Sequence, residues 1–272
     1  MYYLKNTLYG LLIGIANAIP GVSGGTMAVI LDIYDDIMFS ISKTNIKSHL
    51  KFLVPLAAGA VIGIFALSKV IVGAMESHPV ILNFCFIGLV VGSMPALAKK
   101  TQNEGDGKIK PVNWIFFVVA FLVMLALAIV NPDAVTNKSL EAMGGLDMLL
   151  IARLFVCSAI AMVAMILPGL SGSLILLLFG IYGVIMEAVA TFNMGVIIPV
   201  FLGIAAGGIL GVKFIKNLLR FHPQVLYCAI LGLMIGSVLI IWPGFAPGLE
   251  GVLAVVGFVG FTAVAYLLSS RK

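Results

Sequence analysis

Pro20-Gly-Val-Ser-Gly-Gly-Thr26 and Pro168-Gly-Leu-Ser-Gly-Ser-Leu174 each interrupt a long apolar run. Proline cannot donate a backbone hydrogen bond, and glycine leaves the backbone without a side chain. The Ser and Thr residues that follow are typical of the start of a new helix. Such a sequence is unsuited to a straight helix in lipid. It is typical of a helix that is broken at membrane depth, where freed amides and hydroxyls face a polar ligand.

Composition places the chain among polytopic membrane proteins. The 272 residues are 62% hydrophobic and 10% charged, with a mean hydropathy of +1.19, which excludes a water-soluble domain of ordinary composition. The formal net charge of +5 is explained by the Lys and Arg excess of cytoplasmic loops, so we expect no nucleic-acid partner. Cys85, Cys157 and Cys228 lie singly in apolar segments, which is typical of inert buried thiols. We expect neither a metal nor a cofactor.

The chain also contains an internal duplication. Pro20 matches Pro168 at an offset of 148, and after a four-residue shortening of the next loop Pro55 matches Pro199 at an offset of 144. Further pairs at these offsets are Lys5/Arg153, Gly21/Gly169, Ser23/Ser171, Gly24/Gly172, Tyr34/Tyr182, Gly59/Gly203, Gly63/Gly207, Lys69/Lys213, His78/His222 and Gly92/Gly236. Chance does not give so many matches at two constant offsets, so the sequence predicts two related halves.

Ten apolar segments follow one another along the chain, and most approach the roughly 20 residues that a spanning helix needs. They cover residues 4–19, 26–42, 52–75, 79–98, 113–131, 148–167, 174–192, 196–216, 224–243 and 251–269. We therefore predict an all-α integral membrane protein with a single transmembrane domain, residues 1–272, made of two five-segment repeats, 1–131 and 146–270. Each repeat begins with two segments joined only by the Pro-Gly-x-Ser-Gly break, which predicts a broken or re-entrant helical hairpin. Because each half crosses the membrane an odd number of times, five or three, the two repeats have inverted topology.

Charge placement predicts the orientation of these segments. If the N-terminus is cytoplasmic, most lysines and arginines fall in cytoplasmic loops, including the polar loop at residues 99–112, and the acidic turns fall on the other side. The positive-inside rule therefore predicts that both termini are cytoplasmic. Arg153 is the exception, since it lies at the outer mouth of the second hairpin.

The two breaks form the predicted binding site. A hydroxyl residue can cap each returning helix while other first-turn amides stay free at the positive end of the helix dipole, and glycines let a phosphate approach them closely. The predicted site residues are Gly21, Ser23, Gly24, Gly25, Thr26, Gly169, Ser171, Gly172 and Ser173. The simpler interpretation is that these residues only end helices and cap one another. Two inverted copies, whose tips would meet at the bilayer midplane, favour a binding site.

Further polar residues are candidates for substrate entry or coupling: Asn17, Asp32, Lys69, Arg153 and Lys213. Inversion places Lys69 and Lys213 near opposite faces, where each can attract an anionic headgroup, although snorkelling to the interface explains them equally well. Asp32 lies deeper on its returning arm than the neighbouring acidic residues and is a candidate for coupling to a proton or another cation. Asn17 lies beside the first break, where it can hold the loop or contact a ligand.

The run Gly14-Ile-Ala-Asn17-Ala-Ile-Pro20-Gly-Val-Ser-Gly-Gly-Thr26, with Ile33-Tyr34 after it, resembles the bacterial polyprenyl-phosphate transporter family, long catalogued as a domain of unknown function. Leu167-Pro-Gly-Leu-Ser-Gly-Ser173 ahead of Gly180-Ile-Tyr182 carries the same resemblance, which covers essentially the whole chain. It implies translocation of undecaprenyl phosphate, the lipid carrier of cell-wall building blocks, from the outer to the cytoplasmic leaflet of the bacterial cytoplasmic membrane. The family often has glutamate after Ile-Tyr, where this chain has Asp35.

The resemblance fits the chemistry of the two breaks. A phosphate monoester carries about −1.5 to −2 charge at neutral pH, and at the bilayer centre that charge needs new partners. We expect the helix N-termini and hydroxyls to bind the phosphate while the isoprenoid tail stays in lipid through a lateral opening. Rocking of one repeat against the other then exposes the site to each leaflet in turn. The expected partners are undecaprenyl phosphate or a related polyprenyl phosphate and membrane lipids, and an oligomer is compatible with the sequence.

Two alternatives share this architecture. Membrane undecaprenyl-diphosphate phosphatases also use inverted repeats and re-entrant loops containing Pro-Gly-x-Ser. Hydrolysis, however, needs an Arg or a metal on the phosphoryl group and a positioned acid or base, and neither break is directly flanked by His or a carboxylate. We therefore expect no enzyme. A carrier for a small soluble anion is the second alternative, because it would use the same features of the tips.

Overall fold

The computed structural model describes residues 2–17, 23–41, 47–104, 107–129, 140 and 145–269, with the helical backbone alone at residues 65–72 and 75–76. All regular structure in these ranges is helical, which confirms the predicted all-α class. In chain order the helices are α1 Tyr2–Asn17, α2 Gly24–Ile30, α3 Tyr34–Ser40, α4 Leu50–Ser77, α5 Pro79–Asn103, α6 Trp114–Ile129, α7 Met148–Ile166, α8 Gly172–Leu178, α9 Tyr182–Thr191, α10 Met194–Phe221, α11 Pro223–Ile241 and α12 Leu249–Ser269.

Several of these helices are long and apolar enough to cross a membrane. In the part of the chain that the structure describes there are six: α5, α6 with the turn before it, α7, α10, α11 and α12. Helices α8 and α9 make a seventh if they are taken as one span, and they are bent by 109° at their junction. The chain is therefore a multi-pass membrane protein.

Helix α1 packs on α4 in the first half, and α7 packs on α10 in the second half, through equivalent glycines. A Cβ added at Gly59 of α4 would lie 2.0 Å from the carbonyl oxygen of Thr7 in α1. A Cβ added at Gly203 of α10 would lie 2.3 Å from the carbonyl oxygen of Phe155 in α7. Both the glycines and their partners are related by the offsets found in the sequence. Since a side chain would push these helices apart, the small residues set the same close packing in both halves.

The last helix of each half packs on the other half. A Cβ at Gly88 of α5 would lie 2.5 Å from the carbonyl oxygen of Phe258 in α12, and one at Gly232 of α11 would lie 2.3 Å from that of Phe117 in α6. The most apolar stretch of α11 is 67% buried, against 11% for α12 and 17% for α6. The two halves therefore interlock, with α11 at the centre and α6 and α12 at the rim.

The apolar segment that follows each Pro-Gly break, which we call the returning arm, was predicted as one continuous segment at residues 26–42 and 174–192. Each of these arms contains a further break, so that prediction is wrong. Helix α2 ends before Asp32, which has a φ of 53°, and α8 ends before Gly180, which has a φ of 66°. In the first arm the amide of Ile33 bonds to the carbonyl oxygen of Ala28 at 2.9 Å, and the amide of Ile181 makes the equivalent bond in the second arm at 3.1 Å. A left-handed residue followed by this bond ends a helix. In the second arm Gly180 indicates such a break, but the equivalent residue in the first arm is Asp32, which does not.

The polar loop predicted at residues 99–112 is partly helical, because α5 continues to Asn103. Its end is held by Gln224 of α11, which is 5% exposed. The Oε1 atom of Gln224 accepts hydrogen bonds from the amide of Lys110 at 3.1 Å and from Nδ2 of Asn113 at 2.6 Å. This segment is therefore tied to the central helix.

Candidate functional site

The first tip, residues 23–26, is the start of α2, and its polar groups bond mainly to one another. Ser23 caps α2, and its Oγ accepts a hydrogen bond from the amide of Thr26 at 3.2 Å. The amide of Gly24 donates to Oδ1 of Asn17 at 2.9 Å, so the end of α1 holds the start of α2. Ser23 and Thr26 are each 3% exposed. Gly25 differs, because it is partly exposed and its amide has no partner within the described ranges.

Glycines at this tip permit two close approaches. A Cβ at Gly24 would lie 2.5 Å from Nδ2 of Asn17, which would displace the amide that holds the helix start. A Cβ at Gly25 would lie 3.1 Å from the carbonyl oxygen of Ile166, the last residue of α7. The absence of side chains here therefore lets the first tip approach the beginning of the second break.

The two tips are in direct contact. The amide of Gly169 donates a hydrogen bond to Oγ1 of Thr26 at 2.8 Å, across 143 residues of sequence. Gly169 has a φ of 92°, and a Cβ there would lie 2.8 Å from the carbonyl carbon of Leu233 in α11. Only glycine fits this conformation and this space. The Oγ of Ser23 lies 3.2 Å from Oγ1 of Thr26, so one hydroxyl contacts groups from both tips.

The second tip is more open than the first. Ser171 precedes α8 in the N-cap position, but its side chain caps no amide, and its Oγ instead lies 2.8 Å from Oγ of Ser173. Ser173 is exposed and Ser171 is partly exposed. The amides of Gly172 and Ser173 lie in the first turn of α8 and have no partner in the described part of the chain. The amides of this tip can donate hydrogen bonds to an anion.

The structure brings most of the predicted tip residues together, but not as two equal copies. Ser23, Gly24, Gly25, Thr26 and Gly169 lie around one contact, from which Ser171, Gly172 and Ser173 continue along the second tip. The first tip uses its capping groups internally, whereas Ser171 is partly exposed and Ser173 is exposed at the second tip, with Gly172 buried between them. Gly21 and the side chain of Lys69 lie outside the described residues.

Arg153 and Lys213 do not reach the tips. Nη2 of Arg153 donates to the carbonyl oxygen of Phe179, the C-cap residue of α8, at 2.5 Å. A basic side chain at this position stabilises the unpaired carbonyls at a helix end. This contact gives Arg153 a structural role at the end of α8. Lys213 is exposed on α10 and makes no contact with either tip among the described residues.

Asp32 belongs to a charged group that we call the carboxylate cluster, formed by Asp32, Asp35, Lys100 and Tyr227. Nζ of Lys100 lies 3.2 Å from Oδ1 of Asp32 and 2.6 Å from Oδ2 of Asp35. The hydroxyl of Tyr227 donates to the same Oδ2 of Asp35 at 2.6 Å. The cluster therefore joins the first returning arm to α5 and α11. Lys100 and Tyr227 were not predicted from the sequence, because no local pattern indicates contacts between residues this far apart in the chain.

The second half has no equivalent of this cluster. At the offset of 148, Asp32 and Asp35 correspond to Gly180 and Gly183, and at the offset of 144 Lys100 corresponds to Gly244. The charges are therefore a feature of the first repeat alone. The described parts of the two arms therefore differ at both of their ends.

Comparison with known proteins gives one family. Residues 13–247 match the family model described as VCA0040-like, undecaprenyl phosphate translocase-like. The polyprenyl-phosphate transporter of Vibrio cholerae is 29% identical over 259 residues, covering 89% of this chain and 79% of its own. The polyprenyl-phosphate transporter of Staphylococcus aureus is 30% identical over 268 residues, covering 93% of each chain. No solved structure matches. Both relatives are named as transporters, which agrees with the expectation of a non-enzymatic protein.

Proposed function

The chain belongs to the undecaprenyl phosphate translocase-like family, and we propose that it carries undecaprenyl phosphate, or a related polyprenyl phosphate, across a bacterial cytoplasmic membrane. The transport runs from the outer to the cytoplasmic leaflet and returns the carrier lipid for reuse. Two relatives named as polyprenyl-phosphate transporters cover nearly the whole chain, which supports this substrate. The observation that carries the proposal is the contact of the two hairpin tips through Thr26 and Gly169.

The phosphate binds where the tips meet. A charge of about −1.5 to −2 has to be matched by donors when it leaves water. The amides of Gly172, Ser173 and Gly25 have no partner among the described residues. The hydroxyls of Ser171 and Ser173 bond to each other, so one of the two has a hydrogen left to donate to the phosphate. Carboxylates lie further along the first arm, in the carboxylate cluster, so they do not repel a phosphate held at the second tip. The isoprenoid tail stays in lipid beside the headgroup.

Alternating access follows from the inverted-repeat arrangement. The matched glycine contacts at Gly59 and Gly203 support two rigid helix pairs, α1 with α4 and α7 with α10. Each pair carries one hairpin, and the bond between Thr26 and Gly169 joins the two. When one pair rocks against the other, this bond breaks and the Gly169 amide becomes a further donor for the phosphate. With both termini cytoplasmic, the two hairpins enter from opposite sides of the membrane.

Transport is tested with purified protein in vesicles that carry a short-chain polyprenyl phosphate in the outer leaflet. A soluble phosphatase added outside measures how much lipid remains accessible. We expect the accessible fraction to fall faster with protein than in protein-free vesicles, and equal rates would contradict the proposal. Competition by other polyprenyl phosphates but not by inorganic phosphate excludes the small-anion carrier. Phosphate release from a diphosphate lipid without added phosphatase would instead support the enzyme.

A further inference from the structure

The carboxylate cluster surrounds a small cavity between the first returning arm and the central helices. This cavity has a volume of about 30 Å³, and its polar lining includes Asp32, Tyr34, Asp35, Ser93, Lys100 and Tyr227. A cavity of roughly 10–15 Å³ by this measure holds one water molecule. The cluster therefore has room for a water molecule or two, which can bring a proton to the side chains around it.

Two polar atoms at this cavity lack partners in the described part of the chain. Oδ1 of Asp35 is buried without a hydrogen bond, although Oδ2 of the same carboxylate interacts with both Lys100 and Tyr227. The hydroxyl of Tyr34 is also buried and unpartnered, and Tyr34 as a whole is 3% exposed. An unpaired buried polar atom is unfavourable, so such atoms commonly bind a water, an ion or a proton. The unpartnered oxygen of Asp35 is the acceptor at which a proton can bind.

Charge favours a proton over a metal ion at this position. Two carboxylates and one ammonium give the cluster a formal charge of −1, which a single proton neutralises. A metal cation is disfavoured because Nζ of Lys100 already lies between the two carboxylates, 2.6 Å from Asp35 and 3.2 Å from Asp32. Lys100 therefore occupies the place where a metal cation would bind, while Oδ1 of Asp35 stays open to a proton.

The charged and titratable groups around Asp35 come from several elements. Asp32 and Tyr34 lie on its own arm, Lys100 on α5 and Tyr227 on α11. Glu104, after the end of α5, is within electrostatic reach of Tyr227. Helix α10 packs on α3 and carries three basic residues, Lys213, Lys216 and Arg220, none of which lines the cavity. The charged and titratable side chains that contact the Asp35–Lys100 pair directly are therefore Asp32 and Tyr227.

We propose that Asp35 is a proton-binding residue of the transport cycle and that its protonation is coupled to binding of the phosphate lipid. The proton passes from a hydronium ion in the cavity to Oδ1 of Asp35, leaving a water molecule. A neutral carboxyl attracts the Lys100 ammonium less strongly, which loosens the tie between the first returning arm and α5. Asp32 and Ser23 lie beyond opposite ends of α2, whose seven residues span roughly 10 Å. A shift of this arm therefore reaches the contact between Thr26 and Gly169.

The reason for coupling to a proton is the electrical work of moving an anionic lipid inward, and it rests on the proposed function. An anionic headgroup that moves toward a cytoplasm of negative potential moves against the electrical force on its charge. Each proton carried in the same direction offsets one elementary charge. By thermodynamic linkage, if lipid binding favours protonation, then protonation tightens lipid binding by the same factor.

The test measures lipid binding and proton uptake separately on the purified full-length protein. A short-chain polyprenyl phosphate is added in weak buffer with a pH-indicator dye, and bound lipid is counted independently. We expect the wild type to take up close to one more proton per bound lipid than Asp35→Asn. The matched control is Asp36→Asn, which neutralises the adjacent exposed carboxylate and should behave as the wild type. The ionisation of the lipid phosphate contributes to all three proteins, so the difference belongs to Asp35.

Equal proton uptake by Asp35→Asn and wild type at equal lipid binding would overturn the inference and leave the proposed function intact. Absence of lipid binding to the wild type would instead overturn the proposed function, and the inference with it. If Asp35→Asn does not fold, Tyr34→Phe provides a second test, because it removes only the unpartnered hydroxyl beside the cavity. We expect it to shift the pH at which proton uptake is half-complete, and an unchanged midpoint would overturn the inference.

Discussion

The amide nitrogen of Gly169 lies 2.8 Å from the hydroxyl oxygen of Thr26, and this hydrogen bond joins the second break to the start of α2, from different halves of the chain. The hydroxyl also lies 3.2 Å from Oγ of Ser23, the cap of its own helix. One buried side chain therefore connects the start of α2 with the second break. Any movement that separates the two halves has to break this bond or carry both tips together.

Thr26→Val removes the shared hydroxyl and keeps the shape of the side chain. The buried amide of Gly169 then loses its acceptor, and an unsatisfied buried group costs about 1–3 kcal/mol. We expect a lower thermal unfolding temperature and a loss of lipid transport, measured in detergent and in vesicles respectively. Thr26→Ser keeps the hydroxyl and should retain transport. Wild-type transport by Thr26→Val would show that the bond between the tips has no role in the cycle.

The double variant Ser171→Ala with Ser173→Ala removes two accessible hydroxyls from the second tip. Because neither hydroxyl caps an amide, we expect the unfolding temperature to change little while transport falls by about tenfold or more, equivalent to about 1.4 kcal/mol. Vesicle assays at matched protein content measure the effect. Thr191→Ala is the control, since its hydroxyl bonds only to Glu187 within α9. Undiminished transport by the double variant would remove these serines from the site.

Gly169→Ala should be strongly destabilising. Alanine would have to adopt a φ of 92°, and its Cβ would lie 2.8 Å from the carbonyl carbon of Leu233. Because this neighbour is backbone, it cannot move aside as a flexible side chain can. We expect little folded protein in the membrane fraction. Gly260→Ala is the matched control, because a Cβ at Gly260 in α12 meets nothing within 4 Å. Abundant folded protein from Gly169→Ala would mean that the second tip rearranges readily.

Substitutions at Asp32 should separate backbone strain from charge. Asp32 has a φ of 53°, and a residue with a Cβ in this left-handed region costs roughly 1–2 kcal/mol relative to glycine. Its ion pair with Lys100 is one-third exposed on both sides, and pairs of this kind contribute about 0–1 kcal/mol. We therefore expect Asp32→Gly to be at least as stable as the wild type and Asp32→Ala to be less stable. Thermal unfolding of both variants provides the measurement, and the reverse order would contradict the strain argument.

The sequence predicted the all-helical class and the long apolar helices, because these depend on local hydrophobicity. The repeat and the role of the tip residues stay predictions, which the contact of Thr26 with Gly169 supports. The sequence did not predict the left-handed break at Asp32, since the only local indication of that break was the glycine at the equivalent position of the second repeat, Gly180. It also did not predict the pairing of Asp35 with Lys100 and Tyr227, which depends on how α3, α5 and α11 pack. The difference between the closed first tip and the open second tip depends on which hydroxyl reaches which amide. The inverted topology stays a prediction.

The most direct test of the account is a structure of the protein in lipid with a short-chain polyprenyl phosphate bound. We expect phosphate density at the junction of the two tips, with oxygens about 2.7–3.2 Å from the amides of Gly172 and Ser173. A headgroup bound only at the rim, for example beside the exposed Lys213 on α10, would contradict it.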